Sequence, residues 1–214
     1  MSLIHGASLV RDGLILHLDA ANNKSYPGTG GTWFDLTSTT NATLANVTIT
    51  EPEYISFSAS SSKATITPYV TGSLTANVWY RRNDAQSSTS WRTLLATAGT
   101  NIHQLILNQT TRSLGVWDGG FKNLGYIPLE DGLFHNIVVV YRSAVSATLF
   151  VDGIFHSTVA TTLDLRTSPI GTIANWSGNS YWAGQISSCS LYNRELSAAE
   201  IKHNFEAFRG RYGV

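Results

Sequence analysis

The sequence predicts an all-β domain, in which two antiparallel sheets pack face to face as a sandwich and one short helix follows near the C-terminus. Three observations support this prediction. Apolar and polar residues alternate with period two in short runs along the whole chain of 214 residues. Only 13% of residues are charged, and Ser, Thr, Asn and Gly are abundant, which suits strands that face water on one side and are joined by many turns. A single segment near the end has helical spacing instead.

Four alternating runs predict the strands of the N-terminal half. In the first run, Leu14, Leu16 and Leu18 share one face of a strand, because every second side chain of a strand points the same way. Residues 27–31 (Pro-Gly-Thr-Gly-Gly) follow and form a loop by composition. The other three runs are residues 54–57, 64–66 and 76–81.

Residues 134–141 (Phe-His-Asn-Ile-Val-Val-Val-Tyr) predict a strand in the middle of a sheet. Ile137 and Val139 fall on one face, while Val138 and Val140 fall on the other. A strand that is apolar on both faces is expected to be covered on both sides, and therefore to have neighbouring strands on both edges.

Two hairpins are predicted around this strand. Residues 105–107 and 114–117 flank a short polar segment that reads as a turn. After the central strand, Asp152 and Gly153 give a strong signal for a two-residue type I′ turn, because both residues tolerate positive φ. We expect that turn to join residues 149–151 to residues 154–156.

One helix is predicted after residue 196. Ser197 and Glu200 have the spacing of a capping box, and Leu196 with Ile201 occupies the positions of a hydrophobic staple. Ile201, Phe205 and Phe208 then form an apolar stripe that we expect to pack on the sandwich. Gly210 is the predicted end of the helix.

Charge and cysteine content exclude several classes of function. The formal net charge is zero, so the composition favours neither nucleic acid nor an anionic membrane as partner, and the longest apolar runs are too short for membrane insertion. Cys189 is the only cysteine, which excludes an internal disulfide, and its alternating run predicts a small core residue. The first six residues lack the features of a secretory signal, so we expect folding in a reducing cytoplasm.

Several segments occur in the order and spacing of one known family. They are residues 13–20 (Gly-Leu-Ile-Leu-His-Leu-Asp-Ala), 33–36 (Trp-Phe-Asp-Leu), 133–135, 149–153, 184–186 and 192–201. Together they resemble the laminin-G-like, concanavalin-A-like lectin and glucanase jelly-roll superfamily. The resemblance implies a two-sheet jelly roll over residues 13–214, preceded by an N-terminal arm of residues 1–12.

Residues 14–28 and 204–213 resemble more narrowly the version of this domain in structural proteins of tailed bacteriophages. That resemblance implies a virion decoration, fibre or appendage that assembles in the host cytoplasm; an extracellular location is the alternative. Other virion proteins, host-surface polysaccharide and further copies of the chain are the partners it implies. Residues 1–12 then dock on a neighbouring subunit or add an edge strand.

The same superfamily includes laminarinase-type glycoside hydrolases, which require an acid and a nucleophile. Retaining hydrolysis needs two carboxylates about 5–5.5 Å apart, and these enzymes supply them from a Glu-X-Asp-X-X-Glu strand. The chain lacks that element. Only Glu51 and Glu53 are spaced i, i+2, and Pro52 between them interrupts strand pairing. We therefore expect no enzymatic activity.

We expect no organic cofactor, but the resemblance leaves one calcium ion open, since many members bind one at the rim of the sandwich. Calcium takes six to eight oxygen ligands, usually with carboxylates on loops. Asp19 and Asp35 are the candidate ligands, although their spacing does not match a recognisable calcium loop. His17 and Asp19 are also spaced to face one ligand, and a structural hydrogen bond is the alternative for that pair.

Two loop stretches have the chemistry of a sugar-binding site. Aromatic rings stack on sugar faces, and Asn and Asp side chains bind the hydroxyl groups. The alternative is that these tryptophans cover the ends of the sandwich as hydrophobic lids. Trp33 and Trp79, by contrast, are expected in the core. The candidates are Trp117, Asp118, Phe121 and Asn123 in the first stretch and Asn175, Trp176, Asn179, Tyr181 and Trp182 in the second.

Three functions therefore remain open at this level. The first is a virion structural protein whose lectin-like domain binds a surface glycan. The second is a purely architectural virion subunit that binds no sugar. The third, a glycoside hydrolase, is disfavoured by the missing acid and nucleophile.

Overall fold

The computed structural model describes residues 8–49, 51, 53–67, 71–82, 90–176 and 180–214. Within these ranges the chain forms fifteen strands and one helix. The strands are β1 (Leu14–Asp19), β2 (Thr32–Trp33), β3 (Ala42–Ala45), β4 (Ile55–Phe57), β5 (Lys63–Thr65), β6 (Ser73–Arg82), β7 (Arg92–Ala96), β8 (His103–Leu107), β9 (Leu114–Trp117), β10 (Phe121–Asn123), β11 (His135–Arg142), β12 (Ser146–Val151), β13 (Ile154–Ala160), β14 (Thr172–Ile173) and β15 (Gly184–Tyr192). The helix α1 spans Ala198–Tyr212.

The strands form two antiparallel sheets, as predicted. The first sheet has the order β1-β15-β6-β11-β12-β13, and β4 pairs with the beginning of β15 while β1 pairs with its end. The second sheet has the order β10-β9-β8-β7-β14-β5-β3-β2. A continuous core of Leu, Ile, Val and aromatic side chains fills the space between them. The all-β sandwich predicted from the alternating runs is therefore confirmed.

Strand β11 occupies the middle of the first sheet, between β6 and β12. Ile137 and Val139 point into the core between the sheets, and Val138 and Val140 point to the opposite, outer face. Both faces are buried, which confirms the prediction from this apolar run. Cys189 in β15 is likewise fully buried, and burial raises the pKa of its thiol to about 12.

The turn between β12 and β13 has the predicted geometry. Asp152 and Gly153 have φ values of 48° and 75°, both positive as a type I′ turn requires. The Asp152 carboxylate has a second use, since it accepts from the backbone N–H of Asn136 at 2.7 Å and contacts His135 Nδ1 at 2.9 Å. The turn is thereby fastened to the central strand.

Helix α1 covers the outer face of the first sheet. Its capping box is present, with Ser197 accepting from the Glu200 N–H. Gly210 does not end the helix, which corrects the prediction: the helix continues to Tyr212, and Gly213 at φ 72° is the C-cap. In the described part of the chain, no helix has the length and apolarity needed to cross a membrane.

The described part of the N-terminal arm packs against the same chain. The backbone N–H of Val10 donates to Asn204 Oδ1 at 2.9 Å, and the carbonyl of Ser8 lies 2.8 Å from His203 Nε2. Asp12 accepts from Arg194, whose Nε lies 2.9 Å from its carboxylate. Residues 8–12 thus contact helix α1 and the segment that precedes it, while residues 1–7 lie outside the described ranges.

Candidate functional site

The outer face of the second sheet is the surface on which the predicted site residues meet. Helix α1 covers the corresponding face of the first sheet. Strand pairing in the second sheet aligns one outward-facing residue from each strand into a line, which we call the cross-strand row. In order from β10 to β2 the row is Phe121, Trp117, His103, Ala96, Thr172, Thr65, Thr43 and Thr32.

Three tryptophans from separate segments line a cleft at the aromatic end of this row, here called the aromatic cleft. Trp91 precedes β7, Trp117 ends β9, and Trp176 follows β14. All three side chains are partly exposed. The cleft has a volume of about 260 Å³. Its remaining lining residues are Asn101, His103, Ile106 and Ser180.

Ring packing fixes the first two tryptophans. The ring of Trp91 meets those of Trp117 and Phe121 edge to face, at centroid distances of 5.4 and 5.5 Å. Phe121 lies directly over Gly115, where a Cβ atom would overlap the Phe121 ring and the Lys122 carbonyl oxygen. The missing side chain at Gly115 therefore makes room for the aromatic cluster.

Trp176 is oriented by a hydrogen bond and a ring contact. Its Nε1 donates to the carbonyl of Thr100 at 2.6 Å. The His103 ring meets it edge to face at a centroid distance of 5.1 Å. Both contacts fix the indole plane before any ligand arrives, which lowers the entropy lost on binding.

His103 is a buried residue in the lining of the aromatic cleft. Its Nδ1 lies 3.0 Å from Thr93 Oγ1, and its Nε2 lies 2.9 Å from Asn101 Oδ1. Burial lowers the pKa of His103 to about 4. At neutral pH the cleft therefore presents aromatic rings, an amide and a hydroxyl without a charge from this histidine.

A second cleft of about 610 Å³ lies beside the aromatic cleft and shares Trp176 with it. Strands β3, β5 and β14 contribute Ala45, Thr65 and Thr172 to its lining. Among the described residues that line the two clefts, Lys63 and His103 are the only ionisable ones. The combined surface is thus polar but almost uncharged.

Three of the predicted site residues come together, although they belong to different loops. Trp117 and Trp176 face the aromatic cleft, and Phe121 supports it through Trp91. Trp91, which sequence reasoning did not assign to the site, completes the cluster. Trp91 directly precedes β7, in which every residue is buried, so no alternation of exposed and buried positions marks it as a site residue.

Two other predicted site residues make structural contacts within the protein. Trp182 is 1% exposed and packs edge to face on Tyr80 in the core. Asn175 is buried, and its Nδ2 donates to the carbonyls of Ser60 and Ser62. Trp182 is thus enclosed in the core, whereas Asn175 lies in the lining of the second cleft, where its amide holds the chain around Ser60 and Ser62.

Contacts with other protein groups also involve three further candidates, Asp118, Asn123 and Tyr181. Asp118 Oδ2 accepts from the Oγ1 and N–H of Thr162, at 3.0 and 2.8 Å. Asn123 Oδ1 accepts from the Gly125 N–H in a turn, and Tyr181 has the Arg92 guanidinium 4.9 Å from its ring centroid. Asn179, the remaining candidate, lies outside the described residues.

Asp35 does not fit a calcium site, because its oxygen atoms already serve its loop. Oδ1 accepts from the N–H groups of His17 and Thr37 at 2.8 and 3.0 Å, and Oδ2 accepts from those of Thr39 and Thr40 at 3.0 and 3.2 Å. Burial opposes ionisation, but these bonds and the Thr37 hydroxyl lower the pKa of Asp35 below its usual range.

Asp19 is also unsuitable as a calcium ligand. Its two oxygens bind the Arg211 guanidinium at 2.7 and 3.1 Å, and Oδ1 also accepts from the Ala21 N–H. His17 Nδ1 contacts Ser190 Oγ at 2.8 Å. In the described part of the chain, no group of three His, Cys, Asp or Glu side chains is arranged for a metal.

The solved structures that resemble the chain include two carbohydrate-active proteins. The sialidase of Trypanosoma rangeli, solved with 2,3-difluorosialic acid as a covalent intermediate, is 18% identical with a TM-score of 0.70 over 94% of this chain and 34% of the sialidase. Domain 4 of AbnA, a GH43 extracellular arabinanase from Geobacillus stearothermophilus solved with arabinotriose, is 12% identical with a TM-score of 0.63 over 88% of this chain and 96% of that domain. At these identities the similarity shows the fold alone, and the chain spans about a third of the sialidase's length.

The sequence matches one family model over more than half of its length. A search of curated protein sequences returned no match. The model described as the concanavalin A-like lectin/glucanases superfamily matches residues 53–202, which is more than half of the chain and includes every strand from β4 to β15. The chain therefore belongs to the concanavalin A-like lectin/glucanases superfamily and is a lectin-type domain.

Proposed function

We propose that the protein is a non-catalytic glycan-binding domain whose contact surface is the aromatic cleft. The observation that supports this most strongly is the meeting of Trp91, Trp117 and Trp176 from three separate segments at one partly exposed cleft. Aromatic faces bind the apolar faces of sugar rings, while Asn101 and Ser180 at the same cleft can bind hydroxyl groups.

The distribution of carboxylates supports a binding role over hydrolysis. No Asp or Glu is among the described residues that line either cleft. Glu130 lies 2.6 Å from Arg82, and Glu200 belongs to the helix cap. An acid and nucleophile pair about 5–5.5 Å apart, which retaining hydrolysis needs, is not available at this surface. Release of reducing sugar from β-glucan or arabinan by the purified chain would overturn this part of the proposal.

The binding proposal is tested by replacing the tryptophans singly. We expect Trp117→Ala and Trp176→Ala to weaken binding to glycans by about tenfold or more, because each removes an aromatic face on which a sugar ring stacks. A tenfold change in affinity corresponds to about 1.4 kcal/mol. Binding is measured on a glycan array and by affinity electrophoresis. Phe155→Ala, an exposed aromatic on the other sheet, is the matched control and should bind as the wild type does. Circular dichroism checks that each variant is folded.

Two outcomes contradict the proposal. Tryptophan variants that bind as tightly as the wild type would place the sugar elsewhere on the molecule. Silence of the wild type across neutral and acidic polysaccharides would instead favour the architectural subunit that binds no sugar.

A role in a bacteriophage virion is the narrower proposal. Its support is the sequence resemblance of residues 14–28 and 204–213 to structural proteins of tailed bacteriophages. The relatives named above come from a trypanosome and a bacterium, and they add nothing to this placement. Mass spectrometry of purified phage particles from the source strain should detect the chain, and its absence from the particles would contradict the placement.

A further inference from the structure

We propose that the ligand is a linear chain of several uncharged sugar rings, bound across the strands from the aromatic cleft into the second cleft. This inference rests on the proposed glycan-binding function and extends it to the length and charge of the ligand. It follows from three features of the second sheet: the cross-strand row, the sizes of the two clefts and the charge of their linings.

The cross-strand row changes chemistry along its length. Trp117 and His103 lie at its aromatic end, and Thr172, Thr65 and Thr43 follow on β14, β5 and β3. The six strands from β9 to β3 span about 24 Å, since neighbouring strands lie about 4.8 Å apart. One end therefore offers rings for stacking, and the other offers hydroxyl groups over a distance that several sugar rings would occupy.

The sizes of the clefts also favour a chain over a single sugar. The aromatic cleft, at about 260 Å³, falls below the roughly 300–1,000 Å³ usual for a small-molecule site. The second cleft adds about 610 Å³ and shares Trp176 with the first. A ligand that stacks in the first cleft and extends past Trp176 uses both volumes.

The charge of the two clefts favours a neutral chain. Their described lining residues include no carboxylate, and His103 is neutral at physiological pH because burial lowers its pKa to about 4. Lys63 is exposed and is the one remaining cation in these linings. A polyanionic glycan would find only this one counter-charge, whereas hydroxyl groups would find amide and hydroxyl partners.

The test measures affinity against ligand length by isothermal titration calorimetry. The probes are arabinan oligosaccharides from the disaccharide to the hexasaccharide, and the same ladder from the neutral polysaccharide that retards the protein most in affinity gels. We expect affinity to rise by about tenfold or more along the ladder. Thr65→Arg, which fills the second cleft, should remove most of this rise.

The control and the contradicting outcomes separate this inference from the proposed function. Thr158→Arg, at an exposed position of β13 on the other sheet, should behave as the wild type does. Equal affinity along the ladder, with binding still lost in Trp117→Ala, would overturn the chain proposal alone. Tighter binding of galacturonic acid oligomers that is lost in Lys63→Ala would overturn the neutral class. No binding by any probe would overturn both proposals.

Discussion

His103 shows how one residue combines a structural and an electrostatic role in the aromatic cleft. Its ring is 2% exposed, both ring nitrogens have partners, and its edge contact orients Trp176. The cost of protonating a buried imidazole accounts for its lowered pKa of about 4. The unfolded chain, by contrast, protonates a histidine near pH 6.5.

This difference in pKa predicts an acid-dependent loss of stability. Between about pH 6.5 and 4 the unfolded chain gains a proton at this position and the folded chain does not, so the free energy of unfolding falls as pH decreases. The loss is at most about 3–4 kcal/mol, at about 1.4 kcal/mol for each pKa unit. We expect His103→Gln to lose less stability than the wild type between pH 7 and pH 4.5, measured by urea unfolding.

The surface residue His156 supplies the control for this measurement. His156→Gln, at an exposed position of β13, is the matched substitution that shows what loss of a histidine does outside the cleft. Parallel stability curves for wild type and His103→Gln would contradict the assigned role of His103.

At the scale of elements, the two outer faces of the sandwich differ. Helix α1 covers one of them, and the β9–β10 hairpin lies at the margin of the other. Helix α1 seals the first sheet, with Phe205 stacked on Trp79 at 5.6 Å and Tyr212 stacked on the same ring at 4.3 Å. The hairpin instead places Trp117 and Phe121 at the margin of an open face. One face is thus covered by the chain itself, and the other is left accessible.

The close packing of the hairpin on Gly115 predicts sensitivity to a single methyl group. Gly115→Ala should displace Phe121 and reduce the free energy of unfolding by about 1–3 kcal/mol, as overpacking usually does. It should also weaken glycan binding, because Trp91 loses a contact. Gly120→Ala in the same hairpin is the control, since a Cβ there meets only the end of Lys122 at 3.9 Å. A Gly115→Ala protein that matches Gly120→Ala in stability and affinity would contradict this account.

At the scale of the whole molecule, an ion pair joins the first strand to the last helix. Asp19 at the end of β1 is 3% exposed and binds Arg211 near the end of α1 through two hydrogen bonds. The pair links two elements that are nearly the whole chain apart in sequence. It also explains why the helix continues past Gly210, since Arg211 and Tyr212 gain contacts that offset the cost of about 1 kcal/mol for a helical glycine.

Removal of the arginine should leave an unpaired buried carboxylate. We expect Arg211→Ala to reduce the free energy of unfolding by about 2 kcal/mol, less than for a fully buried pair because Arg211 is partly exposed. Arg209→Ala, which breaks a surface pair with Glu206, should cost less than about 0.5 kcal/mol. Adding Asp19→Asn to Arg211→Ala should recover part of the loss. Equal unfolding energies for the two arginine variants would contradict the role of the pair.

Sequence alone predicted the elements whose chemistry is local. Asp152 and Gly153 specify their turn through backbone φ, Ser197 and Glu200 specify the helix start through reciprocal hydrogen bonds, and residues 134–141 specify a central strand through two apolar faces. Each signal lies within a few residues of its effect, so no knowledge of distant neighbours was required. The order of these segments also predicted the superfamily that the family model confirms.

Tertiary structure decided which side chains meet. Trp117 and Trp176 share a cleft with Trp91 only because β9, β8, β7 and β14 are neighbours in the second sheet, and β-bulges between β7 and β8 shift their register. Trp182 had the same local composition as Trp176, yet it points into the core. The sequence by itself determined the sandwich, its turns and its helix; pairing between distant strands determined the surface, because register and burial depend on partners that no local pattern specifies.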